Sequence, residues 1–328
     1  MNSAHTLCLA ISATDYLKLS APPKRLKNLL RVEVTGRSFL PQADDLESDW
    51  VATVAAPVFK RIAREARAPK SFCSIGTGTG LDALTAIEIL NATQVGVTDV
   101  HEEVVAAAVA NIRANLLGAD AIALQFGHGD LLEPLDTEDA ANRPRYDLIY
   151  ENLPNIPVDD ASAIETARVS SSFVPPRSEN IPELFRRNLL ALHYVALLRA
   201  KDFLTPGGST LSLLGARVPL EVFLEMGRAA GFRSEIYAYG WKAQTEAEAV
   251  FSGHIAQQQA GLGPFHFYRV DRLAQLFGGS SLEISGKEAL ALETTLAKEA
   301  LSPKEAFLLH QQGERIGHTV AALRSWPI

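Results

Sequence analysis

Thiols are nearly missing from this chain. Of its 328 residues only Cys8 and Cys73 carry one, and the two stand far apart, outside any metal-ligand spacing. A reducing cytoplasm is the simple expectation. Excess positive charge is missing as well: the formal net charge is −7. A polyanion needs a basic face, so no nucleic-acid partner is expected. Long apolar runs are absent too. The early patch "LCLAISA" has no basic segment ahead of it and is too short for a bilayer, so neither a leader nor a membrane partner is expected. No Ser-His-Asp or His-Glu-x-x-His pattern occurs. His310 and His318, eight residues apart, do not make a metal pair, and His266 in an apolar stretch reads as core. No metal is expected. Internal repeats and low-complexity tracts are absent.

What is present is ample apolar material, 47% of residues, with 21% charged, enough for a sizeable core in one large domain or two smaller ones. From "KSFCSIG" onward, short apolar runs alternate with helical periodicity. "LDALTAIEIL" follows the first run, "TQVGVTDV" and "HEEVVAAAVANIRANLL" come next, and "AIALQFGHGD" and "YDLIYENLP" complete the series. Such alternation predicts a parallel sheet covered on both faces. "ELFRRNLLALHYVALLRAKDFL" reads as one amphipathic helix, and "STLSLLGA", "RSEIYAYGW" and "GPFHFYRV" as later strands. The predicted organisation is an N-terminal extension over 1–47, an α/β domain over 48–276 and a helical C-terminal tail over 277–328, entered through "FGGSS". The amphipathic helices of the extension and tail need an apolar partner, and a homodimer or a cover over the substrate pocket is the expectation.

The stretch "SIGTGTGLDAL" sets Gly76, Gly78 and Gly80 between a strand and a helix. Glycine there accepts positive φ and lets a ligand approach the backbone, beside the unpaired N–H groups of a helix start. The spacing is not the Gly-x-Gly-x-x-Gly dinucleotide fingerprint. Asp99 ends the second strand, where an acid can accept from ribose hydroxyls. Asp130, in "GHGDLL", ends the third, positioned to accept from an adenine amino group. Either acid could instead cap a helix. All three loops leave the carboxyl ends of parallel strands, where open α/β sheets bind ligands, and a nucleoside suits them together.

The series "SIGTGTG … VTDV … HGD … YENLPNIP" resembles the class I S-adenosylmethionine-dependent methyltransferases over roughly residues 48–270. The interval from Asp99 to Asn111 is also that family's. The resemblance implies a Rossmann-like seven-stranded sheet with S-adenosyl-L-methionine as cofactor. Gly76, Thr77, Gly78 and Gly80 would lie against its amino-acid end, Asp99 and Val100 at its ribose, and Gly129, Asp130 and Leu131 near its adenine. The chain departs from the family at Ser74, where an acid is usual.

"YENLPNIP" closes the fourth strand. Its Asn152–Asn155 portion resembles the Asn-Pro-Pro-Tyr motif of methyltransferases acting on planar nitrogens, without the aromatic that grips a flat base. Glu151, directly before Asn152, suits a guanidinium, which is planar, permanently charged and rich in paired donors. Together with "PPRS", the string resembles bacterial free-L-arginine N-methyltransferases of nitrosourea-type biosynthesis. This resemblance implies L-arginine as substrate, with Glu151 and Asn152 catalytic and with Asn155, Pro175, Pro176 and Arg177 shaping the pocket. Arg177 would take the α-carboxylate. Trp241 either lines that pocket or packs in the core. Two other substrates stay open: methionine, by S-methylation, because the later strands and "GERIGHTVAAL" resemble methionine S-methyltransferases, and a protein side-chain amide.

Overall fold

The computed structural model describes residues 7–118, 122–155, 177–278 and 286–328. The chain forms two compact units: Met1–Leu153 with Arg199–Leu211, and Pro154–Leu198 with Ser212–Ile328. Pro175 and Pro176 lie outside the described residues. Among the described residues no helix is long and apolar enough to cross a membrane.

Unit one is built on parallel strands. β3 (Ser71–Ile75) pairs with β4 (Gln94–Asp99) on one side and β6 (Tyr146–Glu151) on the other, and β4 pairs with β5 (Ala123–His128). The order is β5-β4-β3-β6, followed by β7 (Leu204–Gly215). Every residue of β3 is buried, as expected of a strand covered on both faces. Phe59, Phe72 and Tyr150 form one aromatic cluster, with centroids 5.5–5.9 Å apart. The intervening helices α3 (Leu81–Ile89) and α4 (Glu102–Asn115) match the alternation read from the sequence. Ahead of β3 a π-helical turn, Val51–Ala55, leads into α2 (Ala56–Ala63).

The N-terminal extension folds within this unit. β1 (Leu7–Ser12) and β2 (Leu29–Val34) pair antiparallel, and α4 reads the backbone of β2. Asn115 accepts from Arg31 N and donates to Arg31 O, both at 2.8 Å; Asn111 does the same at Glu33, again at 2.8 Å. Four residues of helix rise about 6 Å and two of strand about 6.6 Å. Amides at i and i+4 therefore match alternate strand residues and satisfy a strand edge.

Unit two holds the remainder of β7, then β10 (Ile316–Pro327) and β8 (Phe232–Ala243), with β9 (Tyr268–Arg269) on β10. β8 and β10 are antiparallel. Here the sequence reading needs three corrections. The C-terminal tail is not helical throughout: after α11 (Pro303–Gln311), residues Ile316–Pro327 form a strand. Its first ten residues are buried without alternation, polar His318, Thr319, Arg324 and Ser325 among them, so the stretch shows no period that separates a buried strand from a buried helix. The long helix expected from Glu183 is broken into α5 (Glu183–Arg187) and α6 (Ala191–Ala200), with Leu189 at φ 60° between them. "GPFHFYRV" contributes only the two residues of β9 as a strand. His254 packs on Phe265 and Phe267 at centroid distances of 4.9 and 5.4 Å, and Phe251 packs on Phe267 at 5.0 Å.

Candidate active site

In unit one the glycine turn leaves β3 as expected. Gly76, Gly78 and Gly80 all take positive φ, 68°, 52° and 80°. A Cβ at Gly80 would meet the backbone oxygen of Ala108 at 3.1 Å, so this glycine also sets the approach of α3 to α4. Around an added Cβ at Gly78 there is open space, which leaves the turn approachable by a ligand.

Asp99, half-buried at the end of β4, accepts from Gly78 N at 3.3 Å and from His101 N at 3.2 Å. It thus ties the glycine turn to its own strand end. It does not cap α4, whose N-cap is His101. Burial raises its carboxyl above the ordinary value, against the lowering effect of those N–H groups. The Asp130 loop follows: Gly129 N donates to Asp99 O at 2.9 Å, and Leu131 holds φ 51°, a conformation costly for a branched residue. Asp99, Val100, Gly129 and Asp130 are all half-buried. Thr77 is buried and donates to Asp82 Oδ1 at 3.2 Å.

Asp82 is the residue that sequence reasoning missed. Buried in the first turn of α3, it accepts from Ser74 Oγ, Thr77 Oγ1 and Ala83 N. The carboxylate thus reaches from the first turn of α3 back to Ser74 on β3. An acid two residues beyond the third glycine was the available signal. Burial pushes Asp82 up to about 6, although its three donors pull the other way. Its ordinary value is 3.8, so the native state holds the extra proton between these values, and the associated stability is lost as pH rises through them. Asp82→Asn is expected to remove this loss. Relative to wild type, its unfolding free energy should rise by about 2 kcal/mol from pH 4 to pH 7, measured by urea denaturation. Parallel profiles for the two proteins would refute it.

Asn111 is bound to this turn as well, donating to Thr79 O at 3.0 Å. Its amide therefore joins β2, α4 and the glycine turn.

β6 runs beside β3 with Glu151 opposite Ile75, which places Glu151 next to the start of the glycine turn. Glu151 is buried, and its Oε2 accepts from Leu153 N at 3.1 Å. Leu153 Cδ2 lies 3.0 Å from where a Cβ on Gly76 would sit, so the two strand-end turns pack together. Asn152 is half-buried. The Tyr150 phenol, raised first by burial, is raised further by Asp82, Glu151 and Asp49. Three carboxylates therefore converge electrostatically behind the turns. Asp49, buried, accepts from Tyr16 Oη at 2.7 Å and from Gln42 N and Ala52 N at 2.9 Å.

In unit two, Asn155 donates to His193 Nε2 at 3.2 Å. Arg177 pairs with Glu179 at 3.4 Å, its side chain 3% exposed. Trp241 is half-buried on β8 opposite Thr319.

No family model and no curated protein matches the chain. Among solved structures it is similar to a ribosomal protein L11 methylase from Lactobacillus delbrueckii subsp. bulgaricus, at 17% identity and TM-score 0.36, covering 56% of this chain and 71% of that one. It is also similar to a methyltransferase from Pyrococcus furiosus, at 19% identity and TM-score 0.33, covering 58% and 77%. A third is a SAM-dependent methyltransferase from Agrobacterium tumefaciens, at 16% identity and TM-score 0.40, covering 69% and 64%. Likeness of this degree assigns the chain neither an activity nor a substrate.

Proposed function

We propose that the chain is an S-adenosylmethionine-dependent methyltransferase whose acceptor is the guanidinium of free L-arginine. The observation that carries the reading is the buried Glu151 carboxylate beside the glycine turn, with Asp82 and Asp49 within electrostatic range of the same phenol. A site of that sign favours cationic ligands. The residues fit the cofactor: the space above Gly78 is open, Asp99 is half-exposed for a ribose, and the strained Leu131 marks the Asp130 loop as shaped for a purpose.

When bound, S-adenosylmethionine supplies an electrophilic methyl carbon on a cationic sulfur. The protein's part is binding and aim. Glu151 holds the guanidinium through charge-assisted hydrogen bonds, and Asn152 fixes its plane. Such positioning is worth on the order of 7–11 kcal/mol in well-aligned systems. After transfer the nitrogen sheds one proton to Glu151 or to water, so no strong base is needed. Homodimer formation is a separate proposal, and light scattering of the full chain tests it.

The deciding experiment is calorimetry of arginine, methionine and glutamine with S-adenosylhomocysteine bound, followed by turnover with the tightest ligand. Preference for arginine is expected. Preference for methionine or glutamine would overturn the substrate, and failure of S-adenosylhomocysteine to bind would overturn the reading as a whole.

A further inference from the structure

Within unit one, the N-terminal extension is fastened along the two helices that follow the glycine turn and Asp99. Ahead of β2, the backbone N–H groups of Lys24, Arg25 and Leu26 donate to the Glu88 carboxylate near the end of α3, at 2.8, 2.9 and 3.2 Å. Arg25 Nη1 donates in turn to Ala92 O at 2.6 Å. β2 then lies on Asn115 and Asn111 of α4. Past β2, Arg37 Nη1 donates to His101 Nδ1 at 2.9 Å, on the residue whose own N–H binds Asp99.

Asn115 and Asn111 are a matched pair that differs in one bond. Both are buried, and each accepts from a strand N–H and donates to the same residue's carbonyl. Asn115 gives its remaining hydrogen to its own helix, at Asn111 O, 2.8 Å away. Asn111 gives its own to Thr79 O at 3.0 Å, between Gly78 and Gly80, both at positive φ. Gripping β2 therefore does not require an amide to reach the turn, yet Asn111 reaches it. With two bonds taken by Glu33, the plane of this amide is fixed and its third bond is aimed. A glycine-rich turn has the most backbone freedom to lose on ordering. A donor already set on Thr79 O removes part of that cost before a ligand arrives.

We infer that the β1–β2 pair is a positioning element for the cofactor, acting through Asn111 as the positioning residue that holds the glycine turn. Strand docking and cofactor binding are then coupled, and the coupling is reciprocal. This rests on the cofactor half of the proposed function and not on the acceptor.

The test is S-adenosylhomocysteine affinity, measured by calorimetry on the full chain for wild type, Asn111→Ala and Asn115→Ala. Both substitutions strip two bonds from β2, so both should lower the thermal midpoint by similar amounts. Asn111→Ala is expected to weaken S-adenosylhomocysteine about 5- to 10-fold, the equivalent of one net hydrogen bond, while Asn115→Ala stays within about twofold of wild type. Without ligand, hydrogen exchange at the Gly80 amide, which bonds Thr77 O, should be faster in Asn111→Ala than in Asn115→Ala. Equal affinities in the two variants would overturn the inference and leave the cofactor reading standing. Failure of S-adenosylhomocysteine to bind wild type would overturn that reading and the inference with it. A second measurement needs no variant. In wild type, S-adenosylhomocysteine should slow exchange at the Glu33 amide, which bonds Asn111 Oδ1, more than at the Lys27 amide, which bonds Asn115 O. Equal slowing at both would also overturn the coupling.

Discussion

Glu151→Gln is expected to lower kcat/KM for arginine by about 100- to 1000-fold, the range for removing one partner of a buried hydrogen-bonded charge pair. Both parameters should suffer, because the carboxylate binds the guanidinium in the ground state and holds its charge during transfer. The substitution keeps the size and the acceptor that Leu153 N uses, so the turn should survive. S-adenosylhomocysteine affinity, measured in parallel, should change little. A neutral thioether acceptor would behave otherwise, with KM nearly unchanged and the loss confined to kcat, because charge then appears only in the transition state. Unchanged kcat/KM for every amino acid would remove Glu151 from the chemistry.

Asp99→Ala is expected to weaken S-adenosylhomocysteine about 10- to 100-fold, the equivalent of one charge-assisted hydrogen bond. Part of that loss is indirect, since Asp99 also receives the N–H groups of Gly78 and His101. Asp99→Asn separates the contributions: it retains an acceptor for one N–H but cannot serve the ribose as an anion, so it should fall between wild type and alanine. Calorimetry on the three proteins reads this directly. Equal affinities would place the ribose elsewhere.

How much of this was legible in the chain differs by element. The strands β3 to β6 and helices α3 and α4 were readable because each is short, apolar and bounded by a chemical break: the glycines at 76–80, Asp99, the Gly129–Asp130 turn and Asn152. β10 was not, because "IGHTVAAL" is buried along its whole length and shows no alternation. The helix expected after Glu183 has apolar spacing across its break, and nothing in the spacing signals that Leu189 adopts positive φ.

The candidate site divides along the same line. Gly76, Gly78, Gly80, Asp99, Asp130 and Glu151 announce themselves by lying at strand ends, a local property with a local signature. Asp49 and Asp82 do not, because their significance is relational. Asp82 matters because it meets Ser74 across the turn, and Asp49 because Tyr16 and Tyr150 stand beside it. Local order in the chain specified the turns, the alternation of strand and helix, and the acid at the mouth of β6, since backbone geometry depends on near neighbours. Burial, charge balance and the pairing of distant side chains were settled only by folding, since electrostatics in a dry interior depends on which groups arrive and which do not.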